Sequence, residues 1–211
     1  MNAIQYFERH PDEILQATFE HIWLVGIAML IAAAVGVPLG ILVARRPWLS
    51  KPILGTANVA ETIPSLALFG FLLPVPWLGD RAARLAIAAL ALYALLPIIR
   101  NTAAGIASID PAVREAARGM GMTPRQILFK VELPLSLSTV LAGVRVATVL
   151  TIGIATIAAA IGAGGLGEYI FRGLAMVNNS LILAGAIPAA LLALAADFLL
   201  SVLERSLRPG R

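Results

Sequence analysis

The chain has 211 residues, of which 59% are hydrophobic and only 13% charged, against about 25% charged in an ordinary soluble domain, so an ordinary soluble enzyme is excluded. It has no cysteine, which excludes disulfides, iron–sulfur clusters and thiol catalysis. Its formal net charge of +4 belongs to no single exposed basic domain, so no nucleic-acid partner is indicated; the composition is that of an all-α integral membrane protein.

The chain opens on an acidic stretch, residues 1–21, in which Glu8, Asp12, Glu13 and Glu20 outweigh Arg9. The two histidines, His10 and His21, also fall here, eleven residues apart. They lack the helical spacing and the company a ligand set needs, so no metal site is expected. Ile22 to Ala44 follows, 23 residues without a charge. No basic region precedes it and no small-residue cleavage site closes it, so it is read as a retained span and not a signal peptide. Arg45, Arg46 and Lys51 come directly after, and the positive-inside rule then sets residues 1–21 outside and the first loop in the cytoplasm. Lys51 and Lys130 are the two lysines. Neither stands in a G-x-x-x-x-G-K-[ST] loop, so the chain does not bind and hydrolyse ATP by that device.

Four further uncharged stretches follow: Thr62 to Gly79, Leu85 to Ile99, Val146 to Gly167 and Gly173 to Ala196. All but one reach the roughly 18 residues needed to cross a bilayer core. Leu85 to Ile99 has 15, but Arg84 and Arg100 at its ends can snorkel to the interfaces and lengthen it. The expectation is a bundle of five transmembrane helices, with six as the alternative, forming one domain over residues 22–204 with a cytoplasmic tail at 205–211. Five spans leave Arg9, Arg81, Arg84 and Arg172 outside and the other twelve basic residues in or beside cytoplasmic segments, in agreement with the charge rule. The spans are rich in Ala and Gly, which lets backbones approach closely. Pro38, Pro64, Pro97 and Pro188 fall in or at the edge of four of them, which suits either kinked helices around an internal pathway or the ordinary frequency of proline in membrane helices.

The longest stretch between spans, residues 101–138, is cytoplasmic in this topology. Asp110-Pro111 reads as a helix start, an N-capping carboxylate followed by the proline favoured at the first helical position. That helix, Pro111 to Arg118, should stop in Gly119-Met120-Gly121. Thr123-Pro124-Arg125-Gln126 starts a second helix with a T-x-x-Q capping box, and Leu133-Pro134 is expected to end it. The product is a helix, a glycine elbow and a helix carrying Arg114, Arg118, Arg125 and Lys130. It suits a docking surface for a protein, or an amphipathic helix held to anionic lipid.

Glu115-Ala116-Ala117, three residues, Gly121, nine residues, Val131, one residue and Leu133-Pro134 resembles the E-A-A-x3-G-x9-I-x-L-P loop of the type I permeases of ATP-binding-cassette (ABC) importers, with Val131 in place of Ile. The segment Glu61 to Ala67 (ETIPSLA) resembles the Q-T-I-P-S-L-A segment of permeases importing glycine betaine, choline, carnitine and related osmoprotectants, as do Ala142 to Gly153 and Ile161 to Gly167. Together the resemblance covers roughly Trp23 to Glu204.

The resemblance implies the type I permease fold, with a coupling helix that seats in a groove of a separate ATPase subunit. Glu115, Ala116, Ala117, Gly121, Pro124, Leu133 and Pro134 are the residues it assigns to that coupling. It implies no cofactor on this chain, ATP and Mg being used by the partner ATPase. The implied partners are ATPase subunits, an extracytoplasmic substrate-binding protein and a second permease copy, with this chain in the bacterial inner membrane. The receptor is expected to be another chain.

Candidate pathway or gate residues are Glu61, Pro64 and Ser65, with Gly162, Gly164, Gly165 and Gly167. Glu61 stands where the family commonly has Gln. A carboxylate there can meet a cationic solute, or it can sit at the cytoplasmic interface or pair with Arg100 or Arg145; the second reading is adopted. Leu135 to Val144 is expected to run along the inner interface, with Arg145 as an anchor. The glycine run suits an outer gate, a receptor dock or a plain outer loop. Trp23, Trp48, Trp77, Tyr169 and Phe171 near span ends suit interfacial anchoring. With only 6% aromatic residues, an aromatic cage for a quaternary ammonium is expected in the receptor. A permease for an amino acid or sulfonate is the alternative within the class. A secondary transporter would be expected to show internal repeats or more intramembrane charge, and a structural scaffold would not need the two-helix loop.

Overall fold

A computed structural model describes Tyr6 and residues 9–207. Glu8, Arg208 and Arg211, and with them parts of the expected 1–21 and 205–211 segments, lie outside the described residues. The elements among the described residues are all helical, in the order α1 (Pro11–Arg45), α2 (Pro47–Thr62), α3 (Ser65–Leu72), α4 (Ala82–Ala107), α5 (Pro111–Gly119), α6 (Pro124–Ile127), a π-helical turn (Leu128–Glu132), α7 (Leu133–Ala158), α8 (Gly167–Ala175) and α9 (Asn179–Ser206). Proline opens four of them, α1, α2, α5 and α6, where its missing N–H would find no intrahelical partner anyway.

Among the described residues, four continuous helices are long and apolar enough to cross a membrane: Pro11–Arg45, Ala82–Ala107, Pro124–Ile161 and Asn179–Ser206. The expected Leu85 to Ile99 span lies in a helix of 26 residues, so it needs no snorkelling arginines to gain length. The expected Thr62 to Gly79 span is not one helix. It breaks at Ile63, whose backbone is extended at φ −69° and ψ 128°, because the ring of Pro64 drives the residue before it out of the helical region. The Tyr93 hydroxyl of α4 donates to the freed Ile63 carbonyl, which satisfies the group that the break leaves without a helical partner.

Two expectations around residue 134 are corrected. Leu133-Pro134 does not end a helix, and Leu135 to Val144 is no separate interfacial segment. The wider π turn absorbs the proline: the Leu133 N–H bonds back to Leu128 O, an i→i+5 closure. The helix then continues unbroken through Arg145 to Ala158.

Small residues set the packing. Gly36 and Gly40, a G-x-x-x-G pair, bring α1 onto α4: a Cβ on Gly36 would lie 2.9 Å from Ile98 Cγ2, and one on Gly40 would lie 2.5 Å from Thr102 Cβ. The matching order of these pairs makes α1 and α4 parallel. On the other side of α4, a Cβ on Gly143 of α7 would lie 2.5 Å from Asn101 Cβ, and one on Gly105 would lie 3.0 Å from Thr139 Cβ, so α4 and α7 are antiparallel. Close backbone approach of this kind drives helix association where lipid is the solvent. The α4 helix is thus the centre, with Leu85, Ala89, Leu90 and Ile98 fully buried. By contrast α9 presents Leu191, Leu194, Phe198 and Val202 outward.

Candidate functional site: the elbow and the glycine loop

The elbow is built by local chemistry. The Asp110 carboxylate accepts from Ala112 N at 2.8 Å and caps α5. The α5 helix ends in a Schellman motif: Met122 N donates to Ala117 O at 3.1 Å, and Gly121 N donates to Arg118 O at 2.9 Å. Gly121 takes the left-handed turn at φ +76°, while Gly119 stays helical. The capping box is complete, with Thr123 N donating to Gln126 Oε1 at 2.7 Å and Gln126 N donating to Thr123 Oγ1 at 3.3 Å.

On this frame Glu115, Ala116, Gly121, Pro124 and Pro134 are exposed, Leu133 is half-buried and Ala117 is buried. The assigned residues therefore divide between an outward face and an inward contact. Capping falls to Asp110, and the Glu115 carboxylate is left facing outward.

The residue that sequence reasoning missed is Glu132. It is buried, with the Arg45 guanidinium at 2.7 Å and the Arg114 Nε at 2.9 Å. Arg114 also donates to Ile109 O at 3.0 Å and to Ile106 O, and Arg45 donates to Pro124 O at 3.2 Å. Glu132, Arg45, Arg114, Ile106 and Pro124, with Arg118 and Met122, line a cavity of about 580 Å³. One basic residue of the expected docking surface, Arg114, is thus turned inward, while Arg118, Arg125 and Lys130 are exposed. The available signal was a single acid, Glu132, in the second helix of a loop with four basic residues.

Glu61, Pro64 and Ser65 flank the α2–α3 break, with Glu61 and Ser65 half-buried and Pro64 exposed. Glu61 pairs with neither arginine considered for it. Arg100 donates to Asn58 at 3.2 Å, and Arg145 lies 3.5 Å from both Asp197 and Glu204. Arg145 therefore ties α7 to α9, which its expected role as a lone interfacial anchor did not include.

The glycine run forms a loop between α7 and α8. Gly162, Gly164 and Gly165 all have positive φ. A Cβ on Gly167 would lie 1.9 Å from Thr156 O, so the chain can turn here only on glycine. The loop rests on α1. Gly165 N donates to the Glu20 carboxylate at 3.2 Å, and a Cβ on Gly165 would lie 3.1 Å from Nδ1 of His21. His21 is fully buried, with Nε2 at 3.1 Å from Ile152 O. Glu20 and Arg45 lie 25 residues apart on α1, about 37 Å at 1.5 Å per residue, so loop and elbow sit at opposite ends of a membrane-length helix.

Trp23, Trp48, Trp77 and Phe171 are exposed, as anchoring residues should be, but Tyr169 is buried. It packs edge-on against Tyr6, with ring centroids 6.2 Å apart. Burial and the nearby Glu13 carboxylate push its phenol up to about 12.

Residues 36–209 match the family described as the binding-protein-dependent transport system inner membrane component. The osmoprotectant import permease protein OsmW of Salmonella typhimurium is 43% identical, over 99% of this chain and 98% of its own. The carnitine transport permease protein OpuCB of Listeria monocytogenes is 43% identical, over 99% and 95%. The glycine betaine/carnitine/choline permease protein OpuCD of Bacillus subtilis is 47% identical, over 97% and 88%. In fold, the chain is similar to a subunit of the MetNI methionine ABC transporter, with a TM-score of 0.84 at 23% identity over 92% of this chain and 95% of that one. An amino acid ABC transporter gives a TM-score of 0.74 at 22% identity over 98% and 99%. A bundle with this fold, matched nearly end to end by such relatives, belongs to the binding-protein-dependent transport system inner membrane components, and among them to the osmoprotectant permeases of ABC importers.

Proposed function

We propose that this chain forms the pathway by which an ABC importer takes up a small quaternary ammonium osmoprotectant such as glycine betaine, choline or carnitine. It is a non-enzymatic subunit, and ATP with Mg is used on separate ATPase subunits. The observation that carries the mechanism is the exposed elbow, where a Schellman turn and a capping box hold Glu115, Ala116 and Gly121 outward on a rigid frame. We assign this face, with Ala117, Pro124, Leu133 and Pro134 supporting it, to the groove of the ATPase. The substrate class is supported by the names of relatives at 43–47% identity, whereas the methionine and amino acid transporters share only the fold.

The proposed topology has five crossings. Because α1 and α4 run parallel, the chain must return across the membrane between them, and the broken α2–α3 pair is the segment available to do so. The end bearing Arg45, Arg46, Lys51, Arg118, Arg125 and Lys130 is assigned to the cytoplasm, which puts the N-terminus outside and the C-terminus inside. Gly162, Gly164, Gly165 and Gly167 then face the extracytoplasmic binding protein, and Glu61, Pro64 and Ser65 lie along the pathway. The outward apolar face of α9 is left for lipid and a second permease copy. ATP-driven closure of the ATPase dimer would move two elbows together and tilt the bundles between inward-open and outward-open states.

The test is uptake by proteoliposomes containing the complex that co-purifies with this chain. Uptake of at least one of labelled glycine betaine, choline and carnitine is expected, dependent on ATP, Mg and the binding protein. It should be lost in Gly121→Val, whose branched side chain opposes the left-handed turn, while the subunit still inserts. Uptake of none of the three by the unaltered complex, or full uptake by the variant, would overturn the reading.

A further inference from the structure

We propose that Glu132 is a positioning residue that clamps the elbow to α1, so that movement imposed on the elbow is handed to α1 as well as to α7. The inference rests on the permease reading above. The α7 helix is joined to the elbow by the chain itself, through the π turn. Between the elbow and α1, by contrast, the polar links among the described residues run through one side chain, Arg45. The Glu132 carboxylate takes Arg45, the last residue of α1, on one oxygen and Arg114 of α5 on the other. Arg114 in turn holds the carbonyls of Ile106 and Ile109 at the end of α4. Arg45 also holds Pro124 O, at the start of α6. The Glu132 carboxylate thus reaches, through two guanidiniums, the end of α4 and the start of α6.

The burial of that carboxylate is what makes the joint stiff. An ion is taken out of water at a cost that is recovered only when its oxygens are well paired, and Glu132 meets that condition with two charge-assisted contacts of 2.7 and 2.9 Å. Removing the charge leaves the Arg45 and Arg114 guanidiniums facing one another across the cavity, a like-charge arrangement that opens the joint. The far end of α1 carries Glu20 and His21, on which the glycine loop rests. Through α1, the clamp thus gives the elbow a second connection to that loop, separate from the one along α7.

The test compares Glu132→Gln, Arg45→Gln and the double variant in the full complex, reading solute imported per ATP hydrolysed. Coupling free energies between sites correspond to about 5- to 150-fold, and a fall of about tenfold in that ratio is expected for Glu132→Gln. Arg45→Gln should fall in the same direction, and the double variant should lose less than the product of the two single losses, because the two share the Glu132–Arg45 contact. A merely structural role would reduce the amount of complex and leave the ratio unchanged. If Glu132→Gln does not assemble, Arg45→Gln decides alone, since it sits partly exposed at a helix end and leaves the Arg114 pair intact. An unchanged ratio in either assembled variant, or additive losses in the double, would overturn the proposal. Absence of uptake by the unaltered complex would overturn the functional reading and this inference with it.

Discussion

The Glu20 carboxylate on α1 accepts a hydrogen bond from the backbone N–H of Gly165, 3.2 Å away and 145 residues later in the chain. The contact pins a loop whose glycines give it little stiffness of its own. Gly165→Ala should cost about 1–2 kcal/mol from the left-handed backbone alone, and its Cβ would press on His21 at 3.1 Å. Glu20→Gln keeps an acceptor and should be close to unchanged, whereas Glu20→Ala should lose about 0.5–1.5 kcal/mol. Thermal unfolding of the purified subunit ranks the three; Gly165→Ala as stable as the parent would contradict the account.

The elbow makes a different demand on its glycine. A Cβ on Gly121 has open space around it, so the cost of substitution is conformational and comes from its φ of +76°. Gly121→Val should be more damaging than Gly121→Asn, because Asn tolerates the left-handed region. We expect Gly121→Asn to retain most uptake and Gly121→Val to lose it. Equal uptake by the two variants would mean that the turn geometry is unimportant.

Helix approach gives a stability prediction independent of transport. At Gly40 an added Cβ would lie 2.5 Å from Thr102 Cβ and 2.9 Å from Ile99 O, whereas at Gly26 nothing lies within 4 Å. Gly40→Ala should therefore destabilise the bundle by about 1–3 kcal/mol, as overpacking does, and Gly26→Ala should be neutral or slightly stabilising. Unfolding curves in detergent separate them, and matched curves would count against the packing described.

Glu61 lies in the last turn of α2, where the negative end of the helix dipole opposes a carboxylate. Glu61→Gln should raise stability by about 0.3–1 kcal/mol and change the substrate concentration for half-maximal uptake by less than about twofold, which is under about 0.4 kcal/mol. A large rise in that concentration would instead assign Glu61 to the substrate.

The parts of the site that follow from local rules were legible in the sequence. Asp110, Thr123 and Gln126 cap as their spacing predicts, and the turn falls within the glycine pair, on Gly121. Span lengths were less legible. A count of uncharged residues sees neither the α2–α3 break, which is a backbone restriction imposed by Pro64, nor the length of α4, whose helix continues past Arg100. Pro134 was misread because an interior proline breaks an α-helix, whereas a π turn ahead of it accommodates the ring. Glu132 and Arg145 escaped for one shared reason. Their partners lie in distant segments, Arg45 for the first and Asp197 and Glu204 for the second, and counting charges by side of the membrane says nothing about which of them touch.

The π turn at Leu128–Glu132 also bears on how such a protein can change by descent. It holds one residue more than an α-helical closure would, so losing a single codon there would remove that closure and set Pro134 against an α-helical carbonyl. Each residue of an α-helix turns the chain by about 100° and advances it about 1.5 Å. One deletion would swing the whole elbow round the axis of α7 and carry its outward face off the bearing at which an ATPase waits. The heading of that face is therefore held by the number of residues in this stretch, and a gap there would move it even where every remaining side chain kept its contacts.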